Sequence, residues 1–253
     1  MDARVRRYLQ AGASALLEAL AGRPFVVCES NERSDEPGNR VVVQRIAGAD
    51  GLLVTVGPGS VEPVTRAMRA LTPAEVFSPL GATELCRALG VGYEPGQYYQ
   101  FGFDYVLTGL DDFRPSTADY PVRALRKDDI PESQVARRLA ERRPEETDDF
   151  VWAFACYRDD PGFRTGDQLA AFGAQCAAVA VVFWDKSGVA LFGVTTDGAS
   201  RGRGHGLAVV SAAAGWVLEQ GEAAVYGAYG DNVPSLRIAR RLGFAFLQQQ
   251  MGV

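Results

Sequence analysis

Five residues with glycine at every second position, Gly202-Arg203-Gly204-His205-Gly206, constrain this chain more than any other stretch of its sequence. Residues 189–195 before them are apolar over strand length, while residues 207–220 after them are apolar over helix length and stop at Gly221. Glycines alternating at a strand-to-helix junction clear side chains from a place where backbone N–H groups converge. The helix start adds about half a unit of positive charge. The stretch therefore predicts an α/β chain whose turn cradles a phosphate. It is not a Walker A loop, since no Lys-Ser or Lys-Thr pair follows the glycines, and this disfavours a nucleotide-binding kinase. Nor is it the dinucleotide pattern G-x-G-x-x-G, because the spacing here is G-x-G-x-G.

At 253 residues the chain is long enough for two small domains or one large one. Its 47% hydrophobic and 23% charged residues are those of a globular protein and exclude a disordered or collagen-like chain. No apolar run reaches the roughly 18 to 20 residues that cross a bilayer; the longest candidate, 176–183, has the length of a strand. Net charge is -5 and both sides of Pro115 are slightly acidic, so neither half is a basic nucleic-acid module. Cys28, Cys86, Cys156 and Cys176 lie far apart, with no C-x-x-C pair and no histidine partner for zinc. The expectation is no metal site, free thiols and a reducing cytoplasm. Arg4, Arg6 and Arg7 ahead of the apolar stretch 11–21 have the outline of a secretory signal. Glu18 interrupts that stretch, however, and Leu9, Leu16, Leu17 and Leu20 have helical spacing, which predicts an amphipathic helix.

The first half reads as strands over 25–28, 41–45 and 52–56, a helix over 61–71, a short strand over 75–78 and a helix over 82–89 ended by Gly90. One long strand or a hairpin follows over 97–107. The polar stretch 111–116, with Pro115, predicts a linker between domains 1–115 and 116–253. The second half opens with a strand over 121–125 and a helix from Asp128 and Asp129 to about Arg142. Residues 150–157 are ambiguous between helix and strand, 169–172 read as a weak strand, and 176–184 with 189–195 read as a hairpin. After the helix 207–220 come a strand over 224–229, a helix over 234–242 ended by Gly243, and a last strand over 244–249. Both halves run strand, helix, strand, helix, strand. Leu85, Leu89 and Gly90 fall on Ile238, Leu242 and Gly243 at one constant offset, which leaves a duplication open.

The pattern Arg201-x-x-Gly204-x-Gly206, set between a strand and a helix, resembles the acetyl-CoA pyrophosphate loop of the GNAT superfamily of N-acetyltransferases. A second element agrees in place and order. Asn232-Val233-Pro234-Ser235, followed by Arg241-Leu242-Gly243-Phe244, resembles that family's N-x-x-S/A helix ending in L-G-F. The resemblance covers residues 118–253. It implies an α/β fold, a GNAT-like mixed sheet with flanking helices, preceded by a smaller α/β domain that is either unrelated or a degenerate duplicate. It also implies acetyl-CoA as co-substrate, with the acetyl group passing to a primary amine by direct attack in a ternary complex.

On the family's pattern the strand before the loop and the strand 224–229 splay apart to admit pantetheine. The N–H groups of Arg203, Gly204, His205, Gly206, Leu207 and Ala208 would hold the pyrophosphate, with Arg201 and Gly202 in the same loop. Val194 and Thr196 would bond the pantetheine arm, Thr195 lying between them, and an N–H near Val194 would polarise the thioester carbonyl. Asn232 and Ser235 would bond the pantetheine end near sulfur. His205, the only histidine, is expected near phosphate and not as a base.

One position departs from the family. Where many GNAT enzymes carry a tyrosine that protonates the leaving sulfur, this chain has Ala239. A thiol of pKa about 8.5 gives a tolerable leaving group unaided, and Tyr229 or the Ser235 hydroxyl is the candidate general acid or thiolate stabiliser. No carboxylate lies within 176–184 or 189–196 to serve as base. Glu145, Glu146, Asp148, Asp149, Asp159 and Asp160 gather where the fold borders the acceptor site, and read either as a solvated loop or as a rim that attracts amines. A first half of GNAT descent would have lost cofactor chemistry, since Val56-Gly57-Pro58-Gly59-Ser60 lacks the arginine and the spacing. The expected partner is a small-molecule amine or a protein amine, with no nucleic acid and no membrane, and a homodimer is left open. The alternative is a non-catalytic acyl-CoA-binding sensor or regulatory protein, suggested by Ala239 and by the absence of an evident base.

Overall fold

The computed structural model describes residues 2–10, 19–31, 33–34, 36, 39–93, 100–126, 150–166, 169–185 and 187–253. Two compact units alternate along the chain. The glycine-loop unit holds Met1–Tyr8, Val106–Gly227 and Pro234–Ala245; the second unit holds Leu9–Tyr105, Ala228–Val233 and Phe246–Val253. The units do not divide at 115; the chain passes between them several times, three of the crossings falling inside strands.

The first helix, α1 (Ala3–Gln10), is tied to the glycine-loop unit by Arg4, which bonds the Gly221 carbonyl and Glu222 Oε2, and by Arg7, which donates to the Ser187 carbonyl at 3.3 Å. Leu9 and Leu20 are buried, and most of the helix expected between them, with Leu16 and Leu17, lies outside the described residues.

In the second unit, β1 (Phe25–Glu29), β2 (Val41–Ile46) and β3 (Leu52–Val56) follow the β-branched runs. The helices α2 (Val61–Arg69) and α4 (Pro79–Ala88) bury Val64, Met68, Leu85 and Cys86 in one core with Val41, Val43 and Val54. The strand expected over 75–78 is instead a helical turn, α3 (Pro73–Val76). Thr72 and Glu75 form a reciprocal capping box and Pro73 pre-sets the first-turn φ, so local capping decides against the extended form. Ser78 then caps α4. Of the strand expected over 97–107, β4 (Gln100–Leu107) is the described part, 94–99 lying outside.

In the glycine-loop unit, β5 (Val122–Arg126), β6 (Phe150–Tyr157), β7 (Cys176–Trp184) and β8 (Val189–Thr196) are antiparallel neighbours, and β9 (Ala223–Tyr229) joins β8 in parallel. The order is β9-β8-β7-β6-β5. A short hairpin connects β7 to β8, whereas the parallel β8–β9 pair needs a crossover, supplied by α5 (His205–Glu219). Val209, Val210, Ala213, Ala214 and Val217 of α5 are fully buried against this sheet, which explains the helix's nearly all-apolar sequence. Residues 169–172 are not a strand but enclose a 3-10 turn, Ala170–Phe172; Leu169 and Phe172 are both buried, a three-residue spacing that suits such a turn and not a period of two. The helix expected from Asp128 falls outside the described residues.

The stretch expected as a linker is built into this unit. Beyond α6 (Val233–Arg241), Arg114 donates its N–H to the Leu242 carbonyl, Ser116 donates to Ser211 Oγ at 2.8 Å, and Phe113 sits 3.3 Å from where a Cβ on Gly215 would be.

The last strand, β10 (Ala245–Gly252), pairs antiparallel with β2 from Gln248 opposite Ile46 to Gly252 opposite Val42. The second unit's order is therefore β1-β3-β2-β10-β4, and Met251 and Val253 enter its core. The mixed α/β class with flanking helices expected from the sequence is the observed one. Cys28, Cys86, Cys156 and Cys176 are free thiols; burial pushes Cys156 up to about 11 and Cys176 up to about 12, which keeps both protonated. Among the described residues no helix is long and apolar enough to cross a membrane, and no group of three His, Cys, Asp or Glu could hold a metal.

Met251→Ala is expected to remove about 2 to 5 kcal/mol of unfolding free energy, although Met251 lies in the half of the sequence that carries the glycine loop. Urea denaturation checks this, and a loss under about 0.5 kcal/mol would take β10 out of the second unit's core.

Candidate functional site

β8 and β9 are partners over only three positions, Val189 with Ala223, Ala190 with Ala224 and Leu191 with Val225. Both strands continue past that point, β8 to Thr196 and β9 to Tyr229. On its other side β8 stays in register with β7 as far as Ala178 opposite Thr196. The Asp197 N–H bonds the Ala177 carbonyl of the β7 side at 2.8 Å. Since backbone groups alternate along a strand, those of Val194 and Thr196 point the opposite way, into the gap that β9 leaves. The backbone of Thr195 faces β7, so this residue, counted to the cofactor site on sequence grounds, is committed to the sheet. At the throat of the gap stand Phe192 and Tyr226, each one residue past the last pair, with ring centroids 6.4 Å apart. Phe244 closes the cluster at 6.4 Å from Phe192 and 5.9 Å from Tyr226.

The open end of the gap carries the glycine loop. Buried Asp197 holds its base: Oδ1 accepts the Gly166 N–H at 2.7 Å and Oδ2 the Ala199 N–H at 2.9 Å. Gly202 and Gly204 have φ of +73° and +94°, a conformation that only glycine adopts cheaply. Gly204 is the N-cap of α5 and brings no side-chain acceptor, and the first turn contains no acidic residue. The helix's first N–H groups and its positive end are therefore left for an acceptor from outside the helix. Ala208 is excluded from that cradle, because its N–H already bonds the Gly204 carbonyl at 3.0 Å.

Gly206 serves close approach. A Cβ there would stand 2.9 Å from Thr196 Oγ1 and 3.5 Å from Ile238 Cδ1, so the first turn of α5 lies against the end of β8 and against α6. A Cβ at Gly202 would meet nothing within 4 Å, which leaves that stretch of backbone open to a large anion. Arg201 and Arg203 are exposed beside it.

The His205 side chain turns inward and is 4% exposed, contrary to its expected place beside phosphate. Its Nδ1 lies 3.2 Å from the Ser200 carbonyl, an acceptor, so Nδ1 carries the proton; its ring lies 4.4 Å from that of Tyr120, whose hydroxyl donates to the Arg203 carbonyl. These two side chains brace the loop from behind.

Of the two candidate acids, Tyr229 is 61% exposed and lies with exposed Asn232 in the segment Ala228–Val233 of the second unit. Ser235 is half-buried in α6, and Tyr226 is 2% exposed, with a phenol that burial pushes up and the Ser235 hydroxyl draws partly back down. Sequence reasoning missed Tyr226 because Ala-Ala-Val-Tyr at the start of a strand reads as core. Ala239 is fully buried. Among the acidic residues Asp160 accepts the Gly162 N–H at 2.9 Å and shapes a turn, while Glu145, Glu146, Asp148 and Asp149 lie outside the described residues.

The sequence matches no protein-family model and no curated protein. Solved structures similar to the chain include a protein of Novosphingobium aromaticivorans described as an acetyltransferase of the GNAT family, with 19% identity, 64% of this chain and 68% of that one covered, and a TM-score of 0.42. A GNAT-family acetyltransferase from Colwellia psychrerythraea has 11% identity, covering 79% and 76%, at 0.45. A GCN5-related N-acetyltransferase from Kribbella flavida has 15% identity, covering 98% and 95%, at 0.42. Against two further solved structures the chain spans 56% and 57% of their length.

Gly206→Ala should destabilise the fold by about 1 to 3 kcal/mol through overpacking against Thr196 Oγ1. Thr196→Ala should relieve most of that loss. Thermal melts of the four-member cycle check the coupling, and additivity within about 0.5 kcal/mol would mean the two residues do not touch.

Proposed function

We propose that the chain is an acetyl-CoA-dependent N-acetyltransferase of the GNAT kind, transferring the acetyl group to a primary amine by direct attack in a ternary complex. The observation that carries this reading is the parting of β8 from β9 after Leu191 and Val225, with the glycine-capped start of α5 at the open end of the gap. The pyrophosphate suits the uncapped first turn at Gly204, His205, Gly206 and Leu207, and the exposed guanidinium of Arg201 adds charge beside it. The amide-bearing pantetheine arm suits the edge of β8, where Val194 offers a donor and an acceptor and Thr196 an N–H as a missing strand would, the Thr196 carbonyl already accepting from Arg201 Nε at 3.5 Å. The Val194 N–H is then placed to polarise the thioester carbonyl and hold the charge that develops on its oxygen. The acceptor nitrogen forms its bond to the carbonyl carbon while the carbon–sulfur bond breaks, the electron pair leaving with sulfur and the proton shed by nitrogen passing to water. We further propose a cytoplasmic setting, in keeping with the four free thiols.

Buried Ala239 favours a second reading, an acyl-CoA-binding sensor without turnover. Release of free CoA from acetyl-CoA in the presence of a panel of amines separates the two.

Arg201→Glu places a carboxylate beside the pyrophosphate site, and should lower acetyl-CoA affinity at least about tenfold with the circular dichroism spectrum unchanged. Calorimetry that finds wild-type affinity in this variant removes the cofactor assignment.

An alkylamine of pKa about 10.4 is almost wholly protonated at neutral pH, which adds roughly 4 to 5 kcal/mol to attack. Turnover should therefore climb from about pH 7 to 9 as neutral amine becomes available. A flat profile over that range would mean that a group in the protein deprotonates the amine before the limiting step.

A further inference from the structure

A glycine loop aims its amides at an anion only where something behind it fixes which way each peptide plane faces, because the plane turns about the soft torsions on either side of it. Two carbonyls of this loop are held in that way: His205 Nδ1 donates to that of Ser200 at 3.2 Å, and the Tyr120 hydroxyl donates to that of Arg203 at 2.5 Å. The two bonds differ in what they leave over. The Arg201 N–H, in the same peptide as the Ser200 carbonyl, already turns to the Gly198 carbonyl at 3.4 Å. The Gly204 N–H, in the same peptide as the Arg203 carbonyl, bonds no group among the described residues. In a trans peptide the C=O and N–H point to opposite sides, so the carbonyl drawn to Tyr120 sends the Gly204 N–H away from it. Tyr120 is itself placed from outside the loop. It stands just ahead of β5, where the Pro121 carbonyl accepts the Tyr157 N–H of β6 at 3.2 Å, and its ring lies 3.4 Å from where a Cβ on Gly204 would be.

We propose that Tyr120 is a positioning residue for the pyrophosphate: by holding the Arg203 carbonyl it turns the Gly204 N–H outward, to join those of His205, Gly206 and Leu207 at the start of α5. This rests on the acetyl-CoA reading above. Without the hydroxyl, water satisfies the exposed side of the Arg203 carbonyl equally well. The peptide between Arg203 and Gly204 then loses its orientation, the more readily because glycine on its far side accepts either sign of φ. An anion has to order that peptide as it binds, and the intact bond removes this ordering cost beforehand. The ring alone cannot do so, since it fills the space beside Gly204 but fixes no peptide plane. The effect is confined to the phosphate end of the ligand. The β8 amides that suit the pantetheine arm are held by the β7 ladder as far as Thr196, and they keep their direction when the hydroxyl is removed.

The test is Tyr120→Phe in the full chain, which keeps the ring and removes the hydroxyl, with affinities for CoA, inorganic pyrophosphate and pantetheine measured by calorimetry. CoA and pyrophosphate should each bind about three- to tenfold more weakly, the range that one lost hydrogen bond supports, while pantetheine, which carries no phosphate, should keep its wild-type affinity. A second readout is the magnetic resonance spectrum of protein carrying isotope-labelled glycine. In the wild type, pyrophosphate should move the amide protons of Gly204 and Gly206 downfield; in Tyr120→Phe the Gly204 signal should lose most of that displacement and the Gly206 signal should keep it. The proposal is overturned if Tyr120→Phe binds pyrophosphate as tightly as the wild type, or if the Gly206 displacement or the pantetheine affinity falls in step, which would mark a general loosening of the unit. A Gly204 amide that pyrophosphate leaves unmoved in the wild type overturns it even where Tyr120→Phe fails to fold. A wild-type protein that binds neither CoA nor pyrophosphate would instead bring down the acetyl-CoA reading itself, and this one with it.

Discussion

Three residue pairs hold β9 to β8, and everything of chemical interest follows from the fourth pair that is not made. Unpaired strand edges are costly when dry and adhesive when exposed, so a sheet interior normally keeps its ladder closed. Here the ladder stops at Leu191 and Val225 while both strands go on. Phe192, Tyr226 and Phe244 fill the throat with rings that prefer edge and tilted contacts, and beyond them the backbone of β8 is left as a template for a ligand that imitates a strand. The glycines at 202, 204 and 206 complete the arrangement by letting the helix start come close without a side chain in the way.

The second unit shows what the same local order looks like when it is closed. β3 runs into a glycine-containing turn and then α2, as β8 runs into its loop and α5, and its parallel neighbour β1 stays in register through Glu29 opposite Val56. The Glu29 carboxylate also accepts the Gly59 N–H at 2.8 Å, so the approach to that helix start holds an anion of the chain's own. An external phosphate there would meet both a filled position and a like charge.

The glycine loop was legible from sequence because its physics is local: φ values reserved for glycine and a helix start without a cap are written in consecutive residues. The strands β3 and β7 were legible for the same reason, as largely apolar runs of strand length. The errors share a cause as well. Residues 75–78 look extended until Thr72 and Glu75 are seen to cap one another, and 111–116 look like a linker until Gly243 and Gly215 are seen to make room for them. Tyr226 was invisible because its neighbour Ser235 comes from another element, and a strand pattern does not say what a hydroxyl will stand beside.

The interlacing of the two units also sets an order in time. Gln44 and Gln248, side chains joined at 3.0 Å across β2 and β10, are 204 residues apart in sequence. On a ribosome adding about 5 to 20 residues per second, β2 exists for some 10 to 40 seconds before its partner has been made. During that interval the edge of β2, flanked by the apolar residues Val41 and Val43, is exposed to whatever strand it meets, and its native closure is among the most distant the chain makes. The segment synthesised first is in this sense finished last.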